Sequence, residues 1–189
     1  MNINLRALKA VSLAASIEET RYYLKGVHVE VQGNNLTMVA TNGHLLMGMQ
    51  FPTDAAPCNV IVPLDLIRRI KLVRKIDEAE FEIDGTQITI KYAGGVYGAA
   101  VVDGSFPNWR RICPKEISGE VAQFDVRYFE TFYDAAKLLY PGEKPCIVVG
   151  HNGNSPALIH WYPEALGVLM PIRNQPTPTT PLWVQGEIQ

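Results

Sequence analysis

The sequence predicts an α+β fold in which helices lie on one face of antiparallel sheets. Two observations support this prediction: a helix-starting pattern occurs three times along the chain, and strand-like runs follow each occurrence. The pattern is an apolar residue, a helix-starting residue, and then an apolar, a charged, a variable and an apolar residue, at 3–8, 62–67 and 124–129. Repetition of one supersecondary unit explains both observations.

Each occurrence of the pattern predicts the first turn of a helix. Asn4 and Asp125 are suited to the N-cap, where a side-chain oxygen accepts hydrogen bonds from free backbone N–H groups. Pro63 is suited to the first helical turn, where no N–H partner is needed. The third helix is expected to bury a stripe at helical spacing, which consists of Phe129, Phe132, Tyr133 and Ala136.

Strand-like runs with turn signals between them follow each helix. They lie at 27–31, 36–40 and 45–51 after the first helix, at 80–83, 87–92 and 96–102 after the second, and at 146–149, 157–162 and 167–172 after the third. Glycine, asparagine or aspartate at 33–35, 84–85, 94–95 and 152–154 marks the turns. The chain therefore predicts three βαβββ units, provided that a short strand precedes each helix.

Composition narrows the class of protein. The chain has 189 residues, of which 47% are hydrophobic, which is enough for a folded core. Its 17 basic and 19 acidic side chains give a net charge of −2, which excludes a wholly basic nucleic-acid binder but allows one basic surface. Cys58, Cys113 and Cys146 are widely spaced, which favours small buried side chains in a reducing cytoplasm over a disulfide framework. No apolar run is long enough to span a membrane, and the N-terminus lacks the pattern of a signal peptide.

Five cations without an acid are concentrated at 68–75, namely Arg68, Arg69, Lys71, Arg74 and Lys75. If this segment is helical, Leu66, Ile70 and Val73 form an apolar face. The opposite face then carries Arg68, Lys71 and Lys75. A basic face of this kind suits sequence-independent contact with DNA phosphates. An ordinary solvated helix face explains the same charges equally well. The first helix repeats the basic pattern weakly, with Arg6 and Lys9.

The chain carries no pattern typical of an enzyme. It lacks a P-loop and a glycine-rich dinucleotide fingerprint. Its four histidines have no zinc-ligand spacing with one another or with the cysteines. Its acidic residues form no pair of the kind that two-metal nucleases use. The sequence therefore favours a binding protein without catalytic residues, metal or cofactor.

Four short strings occur in the order in which one known protein family carries similar strings. The string TRYYL at 20–24 is similar to RYYLNG, and VATNGHLLM at 39–47 is similar to VATDGHRLA. The string VDGSFPNWRRICP at 102–114 is similar to GRFPDYRRVLP, and VLMPIR at 168–173 is similar to VVMPMRL. Together they make the chain resemble the bacterial DNA polymerase III β subunit, the DNA sliding clamp, over almost all of residues 1–173.

The resemblance implies a DNA-clamp-like fold, in which each domain consists of two βαβββ units. Residues 1–115 resemble the middle domain, and 116–173 resemble the second half of the C-terminal domain, which gives about one and a half clamp domains. Residues 174–189, rich in proline and threonine, are predicted to form an extended tail. A full bacterial clamp closes a ring from two chains of three domains, so ring closure with half the units would require more chains or a different joint.

The resemblance also implies a partner groove. In the family, a groove between the middle and C-terminal domains receives short linear peptides from polymerases, loaders and repair proteins. The matching residues here are Leu24, Thr41, Gly43, His44, Leu46, Pro107, Ile112, Val168, Met170, Pro171 and Ile172. Each of them taken singly is also explained by ordinary core packing. Asn42 replaces the family's Asp and Leu45 replaces its Arg, which makes the expected rim less polar.

The expected DNA-binding set combines the cations with two tyrosines. Tyr22 and Tyr23 match family residues that approach DNA at the inner edge of the ring, although packing on the sheet explains them as well. The complete set is Arg6, Lys9, Tyr22, Tyr23, Arg68, Arg69, Lys71, Arg74 and Lys75.

These features predict a sliding-clamp-like processivity factor encoded by a phage, a plasmid or another mobile element and acting in the bacterial cytoplasm. Its expected partners are double-stranded DNA, a DNA polymerase or other protein with a clamp-binding peptide, a clamp loader, and further copies of itself. The alternative is a clamp-like decoy or adaptor that binds such peptides without forming a ring.

Overall fold

The computed structural model describes residues 1–173, 179–181 and 184. The strands are β1 Asn2–Asn4, β2 Gly26–Gln32, β3 Asn35–Thr41, β4 Leu45–Pro52, β5 Cys58–Pro63, β6 Glu78–Asp84, β7 Gln87–Tyr92, β8 Gly95–Ala100, β9 Val148–Gly150, β10 Ala157–His160 and β11 Ala165–Leu169. The helices are α1 Leu5–Ser12, α2 Leu64–Arg69 and α3 Val126–Leu139, with short 3₁₀ helices at Glu19–Leu24 and Trp109–Ile112. The predicted tail falls largely outside the described residues.

Two antiparallel sheets organise the strands. One has seven strands in the order β5-β2-β3-β4-β11-β10-β9, and the other has four in the order β1-β6-β7-β8. The first two units interlock, because β1 of the first pairs with β6 of the second while β5 of the second pairs with β2 of the first. The third unit joins through β11, which pairs with β4. The predicted α+β class with antiparallel sheets is confirmed.

The strand predicted before the third helix is reduced to one bridge between Gln123 and Ile172. The hairpin turns fall where the turn signals predicted them, with Gly33 and Gly85 both at a φ of 58°. That left-handed conformation favours glycine, because it has no Cβ. Because the strand before its helix is reduced to one bridge, the third unit is a shortened version of the repeat.

Side-chain caps begin two of the helices. Asn4 Oδ1 accepts from Ala7 N at 2.8 Å, and Asp125 Oδ1 accepts from Arg127 N at 3.0 Å, which confirms both predicted N-caps. The hydrogen bonds that Arg127 donates, from its guanidinium and then its backbone N–H, lower the pKa of Asp125 to about 2. Pro63 precedes the first residue of α2 and offers no side-chain cap.

The second helix is shorter than the sequence predicted, and the prediction of a helical basic face is wrong. Helix α2 ends at Arg69, and Ile70 is extended with a ψ of 120°. Tyr92 Oη accepts from Val73 N at 2.8 Å and donates to Ile76 O at 2.7 Å, so it binds backbone groups that a continued helix would use internally. Lys75 has a φ of 67°, outside the helical range.

The cations beyond Arg69 therefore lie on a loop. Arg68, Lys71 and Lys75 do not share a helix face, although all three are exposed. The predicted apolar face is also only partly buried: Leu66 and Ile70 belong to the core, whereas Val73 is 40% exposed.

The stripe predicted for the third helix is partly wrong. Phe132 and Ala136 are buried, but Tyr133 is 40% exposed and Phe129 is half-buried. Ala135 is buried instead, which shows that α3 is rotated slightly from the predicted orientation.

One hydrophobic core connects both sheets and all three helices. It contains Leu8 of α1, Ile67 of α2 and Phe132 of α3, together with residues from both sheets. Helix α1 contacts both of the other helices. In the described part of the chain, no helix is long and apolar enough to cross a membrane.

Candidate peptide groove and cationic surface

A second, smaller cluster lies on the face of the seven-stranded sheet that points away from the core cluster. Leu46 on β4 and Val168 on β11 are register partners, and both are buried together with Val39 on β3. Their neighbours along each strand, such as Leu45 and Leu169, belong to the main core because alternate side chains point to opposite faces. Two residues of the predicted groove thus form the floor of this cluster.

The segment after β8 covers this floor. Phe106 and Trp109 pack against the cluster, and Phe106 stacks on His28 with ring centroids 4.8 Å apart. Arg110 fastens the segment to the sheet, since its Nη2 lies 2.7 Å from Glu30 Oε2. The Arg110 guanidinium also lies 4.4 Å from the centre of the Trp109 ring. The cover is therefore held by both aromatic packing and an ion pair.

Burial leaves two polar atoms under this cover without a partner in the described structure, His28 Nδ1 and Trp109 Nε1. Burial lowers the pKa of His28; the nearby Glu30 raises it by a smaller amount, and Arg110 lowers it further. A cavity of about 160 Å³ opens beside Trp109 and is lined in part by Val39, Gly48 and Leu166.

The turn between β3 and β4 forms one edge of the predicted groove. Asn42 Oδ1 accepts from His44 N at 2.9 Å and from Leu45 N at 3.0 Å. Thr41 Oγ1 donates to Leu45 O at 2.7 Å and accepts from Gly43 N at 3.0 Å. The amide oxygen of Asn42 thus organises the turn as an Asx turn, a role that needs no charge.

Arg21 connects this turn to the 3₁₀ helix that ends at Leu24. Its Nη1 donates to Asn42 O at 3.1 Å, and its Nε lies 3.3 Å from Glu18 Oε2. A Cβ at Gly43, where φ is 91°, would lie 2.7 Å from Arg21 Nη1. The left-handed backbone conformation favours glycine there, and any other residue would also displace the end of the Arg21 side chain.

The segment after β11 runs beside the same turn. Met170 N donates to His44 O at 2.8 Å, and Ile172 N donates to Gln123 O at 2.8 Å. The His44 ring stacks on Tyr128 of α3 with centroids 5.9 Å apart.

The predicted groove residues fall into three groups by exposure. Leu24, Thr41, Leu46 and Val168 are buried, and Met170 and Pro171 are half-buried. The exposed members are Gly43, His44, Pro107, Ile112 and Ile172. Ile112 and Ile172 stand out because they are 41% and 42% exposed although they are large and apolar.

Strand pairing and backbone hydrogen bonds bring Thr41, His44, Leu46, Val168 and Met170 together. Pro107 lies within the covering segment, Ile112 follows it, and Leu24 ends the 3₁₀ helix from which Arg21 contacts the turn. The sequence prediction missed Trp109, Arg21 and Tyr128. Trp109 lies within the string at 102–114, and its large apolar side chain could have made it a candidate. Arg21 and Tyr128 join the site through tertiary contacts, which the sequence does not show.

The predicted DNA-binding cations differ in their exposure and in their hydrogen bonds. Arg68, Lys71, Arg74 and Lys75 are exposed, and all of them lie around Leu72. Three others are engaged in hydrogen bonds: Arg6 with Asp77 and Leu138 O, Lys9 with Ile67 O, and Arg69 with Gly98 O.

Tyr22 and Tyr23 lie edge to face, with ring centroids 5.7 Å apart. A Cβ at Gly104 would lie 3.0 Å from Tyr23 Cβ and 3.3 Å from a ring carbon of Tyr22, so both residues lie against this segment. Tyr22 remains 53% exposed and Tyr23 is half-buried. In the described structure, no group of three or more His, Cys, Asp or Glu residues is arranged to hold a metal ion.

The family profile for the DNA polymerase III β subunit, central domain, matches residues 2–108. The chain belongs to this family. The matched region contains both interlocked βαβββ units and the turn at 41–44, and it ends within the covering segment.

Individual relatives agree with the family assignment. The β sliding clamp of Salmonella typhimurium is 32% identical over 116 residues, which cover 58% of this chain and 31% of that protein. The β sliding clamp of Haemophilus influenzae is 29% identical over 114 residues, with the same coverage of 58% and 31%. The chain thus spans about a third of the length of these β-clamp relatives.

Solved β-clamp structures extend the likeness to nearly the whole chain. The Bacillus subtilis sliding clamp has a TM-score of 0.72 at 19% identity and covers 93% of this chain and 64% of its own. The β subunit of Borrelia burgdorferi, solved with a natural product, has a TM-score of 0.75 at 14% identity and covers 93% and 63%. The third unit, which lies outside the family profile, therefore shares the clamp fold.

Proposed function

We propose that this chain is a sliding-clamp-type processivity factor that holds a partner peptide at the groove and contacts duplex DNA without sequence preference. The observation that carries the proposal is that Ile112 and Ile172 stay exposed although they are large and apolar, while Trp109 and Val168, three and four residues before them in the chain, belong to the buried cluster. Large exposed apolar groups next to a preformed cluster are typical of interaction sites. The proposed protein has no catalytic residues.

The burial pattern favours a particular way of binding. Leu46 and Val168 lie under Trp109 and support the groove from below. A peptide would instead contact Ile112, Ile172 and the half-buried Met170, whose flexible thioether adapts to different apolar partners.

Fluorescence anisotropy with a labelled clamp-binding peptide from a replicative polymerase tests the groove. Ile172→Asp places a charge at the exposed rim and is expected to weaken peptide binding by about tenfold or more, which corresponds to one lost apolar contact. Val148→Asp is the matched control, because Val148 is 56% exposed on the edge strand β9 and outside the proposed groove. Absence of binding by the wild-type chain, or equal losses in the two variants, would contradict the proposal.

The DNA contact is proposed for the exposed cations around Leu72 and for Tyr22. Cations without ion-pair partners displace counterions from DNA phosphates, so binding should weaken as salt concentration rises. Replacing Arg68, Lys71 and Lys75 together by Glu is expected to weaken this binding strongly and to flatten the salt dependence of what remains. Lys115→Glu is the control, since Lys115 is exposed but outside this surface. Unchanged DNA binding in the triple variant would rule out this surface.

Encirclement of DNA requires several copies of the chain, and the homo-oligomer and its loader belong to this proposal. Sedimentation velocity over a range of concentrations should give one discrete oligomer. Binding to nicked circular DNA should then be lost when the DNA is linearised. A strict monomer would contradict encirclement, but it would leave peptide binding as the activity of a non-ring adaptor.

A further inference from the structure

A cavity of about 460 Å³ opens on the helical side of the molecule, between α1, α2 and the end of α3. Its walls are mainly apolar and include Leu13, Ile17, Ile67, Ile70, Leu72 and Leu138. At its mouth Leu13 is 42% and Ile17 is 72% exposed, so these apolar side chains contact water. A cavity of this volume is within the range that accepts small organic ligands.

Three cations, Lys9, Arg68 and Lys71, stand among these apolar residues, and no acidic side chain lines the cavity. Within the described part of the chain, none of the three forms an ion pair. The nearby Arg6 is already neutralised by Asp77. The cavity is therefore apolar in its walls and uniformly positive in its charged groups.

Lys9 is the most enclosed of these cations. Its Nζ donates to Ile67 O at 2.9 Å, and burial lowers its pKa with no carboxylate to oppose the effect. An ammonium that is partly removed from water and paired only with a neutral carbonyl is poorly compensated. An anion placed beside it would supply the missing charge.

We propose that this cavity binds a small amphiphilic anion, in which a carboxylate is attached to an alkyl body. The alkyl chain would displace water from Leu13, Ile17 and Leu138, and the carboxylate would lie against Lys9, with Arg68 and Lys71 nearby. Charge complementarity selects this ligand class: a neutral alkyl compound would leave the cations unpaired, and free phosphate would leave the apolar walls in water.

Isothermal titration of the full chain with decanoate, below the concentration at which it forms micelles, tests the proposal. One molecule of decanoate should bind per chain. Decanol, decyltrimethylammonium and inorganic phosphate should each bind about tenfold more weakly or not at all, because each lacks either the anion or the alkyl body. The readout contains neither DNA nor peptide, so its failure is separate from failure of the proposed function.

Two substitutions assign the binding to this cavity. Ile17→Ser removes an exposed apolar contact without disturbing the core, and Lys9→Met removes the charge while keeping most of the side-chain stem. Each should weaken decanoate binding by about fivefold to tenfold, whereas the control Lys115→Met should leave it unchanged. If Lys9→Met impairs folding, as judged by circular dichroism, Arg68→Met replaces it.

Several outcomes would overturn the proposal. Equal affinities for decanoate and decanol would show that the cations play no part. Wild-type affinity in Ile17→Ser would place the ligand elsewhere. Methyl NMR signals of Leu13, Ile17 and Leu138 that do not shift on titration would exclude this cavity directly.

Discussion

Leu46 on β4 and Val168 on β11 face each other across antiparallel strands, and they are 0% and 1% exposed. This pair joins the third βαβββ unit to the first, because β11 is the neighbour of β4 in the seven-stranded sheet. The same pair forms the floor beneath Trp109. The contact that joins the two units is thus also the floor of the candidate groove.

Leu46→Ala is expected to lower the free energy of unfolding by about 3 kcal/mol, since it removes a fully buried side chain and leaves a cavity. Urea denaturation followed by circular dichroism measures this change. Val148→Ala should have little effect, because that side chain is exposed on an edge strand. A single transition in both variants would indicate that the third unit unfolds with the rest of the chain, whereas a small effect of Leu46→Ala would contradict the tight joint.

The hydroxyl of Tyr92 sets the shape of the loop after α2, which carries Lys71, Arg74 and Lys75. It accepts from Val73 N and donates to Ile76 O, which holds residues 73–76 in a turn. Tyr92→Phe leaves these partly buried backbone groups without the hydroxyl and should cost about 1 kcal/mol of stability. Hydrogen exchange at the Val73 amide should become faster, while exchange in β3 stays unchanged. Unaltered exchange at Val73 would mean that the turn persists without this hydroxyl.

The sequence predicted the fold well where local patterns decide it. Strand-like runs with turn signals between them identified the strands that follow each helix, and the side-chain caps at Asn4 and Asp125 identified two helix starts. The prediction failed at α2. This helix ends because Ile70 is extended and points into the core, and because the hydroxyl of Tyr92 accepts from the backbone N–H of Val73. The spacing of apolar residues around α2 cannot reveal a hydrogen bond from a side chain on another strand.

The candidate site was predictable in part for the same reason. The family strings identified Leu46, Val168 and the turn at 41–44. They did not show that Trp109 covers this floor or that Arg21 binds Asn42 O. Both contacts join segments that are remote in sequence and are determined by tertiary packing.

Burial of His28 predicts a loss of stability in mildly acidic solution. Burial lowers its pKa below the ordinary value of 6.5, with Glu30 and Arg110 as the nearest charged groups. Between these two pKa values the unfolded chain binds the proton more readily than the folded chain. The contribution is therefore complete above pH 6.5 and is lost as the pH falls below it.

The urea midpoint of the wild type should fall as the pH is lowered from 7.5 to 5.5. His28→Phe keeps an aromatic ring for stacking on Phe106 but cannot titrate, so its midpoint should depend less on pH. His160→Gln, at an exposed position, should behave like the wild type. Identical pH profiles for His28→Phe and the wild type would assign the acid sensitivity to other groups.

Gly167 allows α3 to approach the sheet closely. A Cβ at this position would lie 2.5 Å from Ile159 O, 2.8 Å from Trp161 Cδ1 and 2.9 Å from Phe132 Cε1. Gly167→Ala should therefore destabilise the chain by about 1–3 kcal/mol, because a backbone carbonyl and two rings must move. The change should also appear in Trp161 fluorescence, since Trp161 Nε1 donates to the adjacent Leu166 O.

Gly98→Ala is the matched control for this prediction. Its nearest neighbour, Ile88 O, would lie 3.6 Å from an added Cβ, which is ordinary van der Waals contact. Thermal unfolding of the two variants should separate them clearly, with only Gly167→Ala lowering Tm. If both alanine variants unfold at the wild-type temperature, Phe132 does not pack against β11 as closely as described, and the third unit is held mainly by the β4–β11 strand pairing.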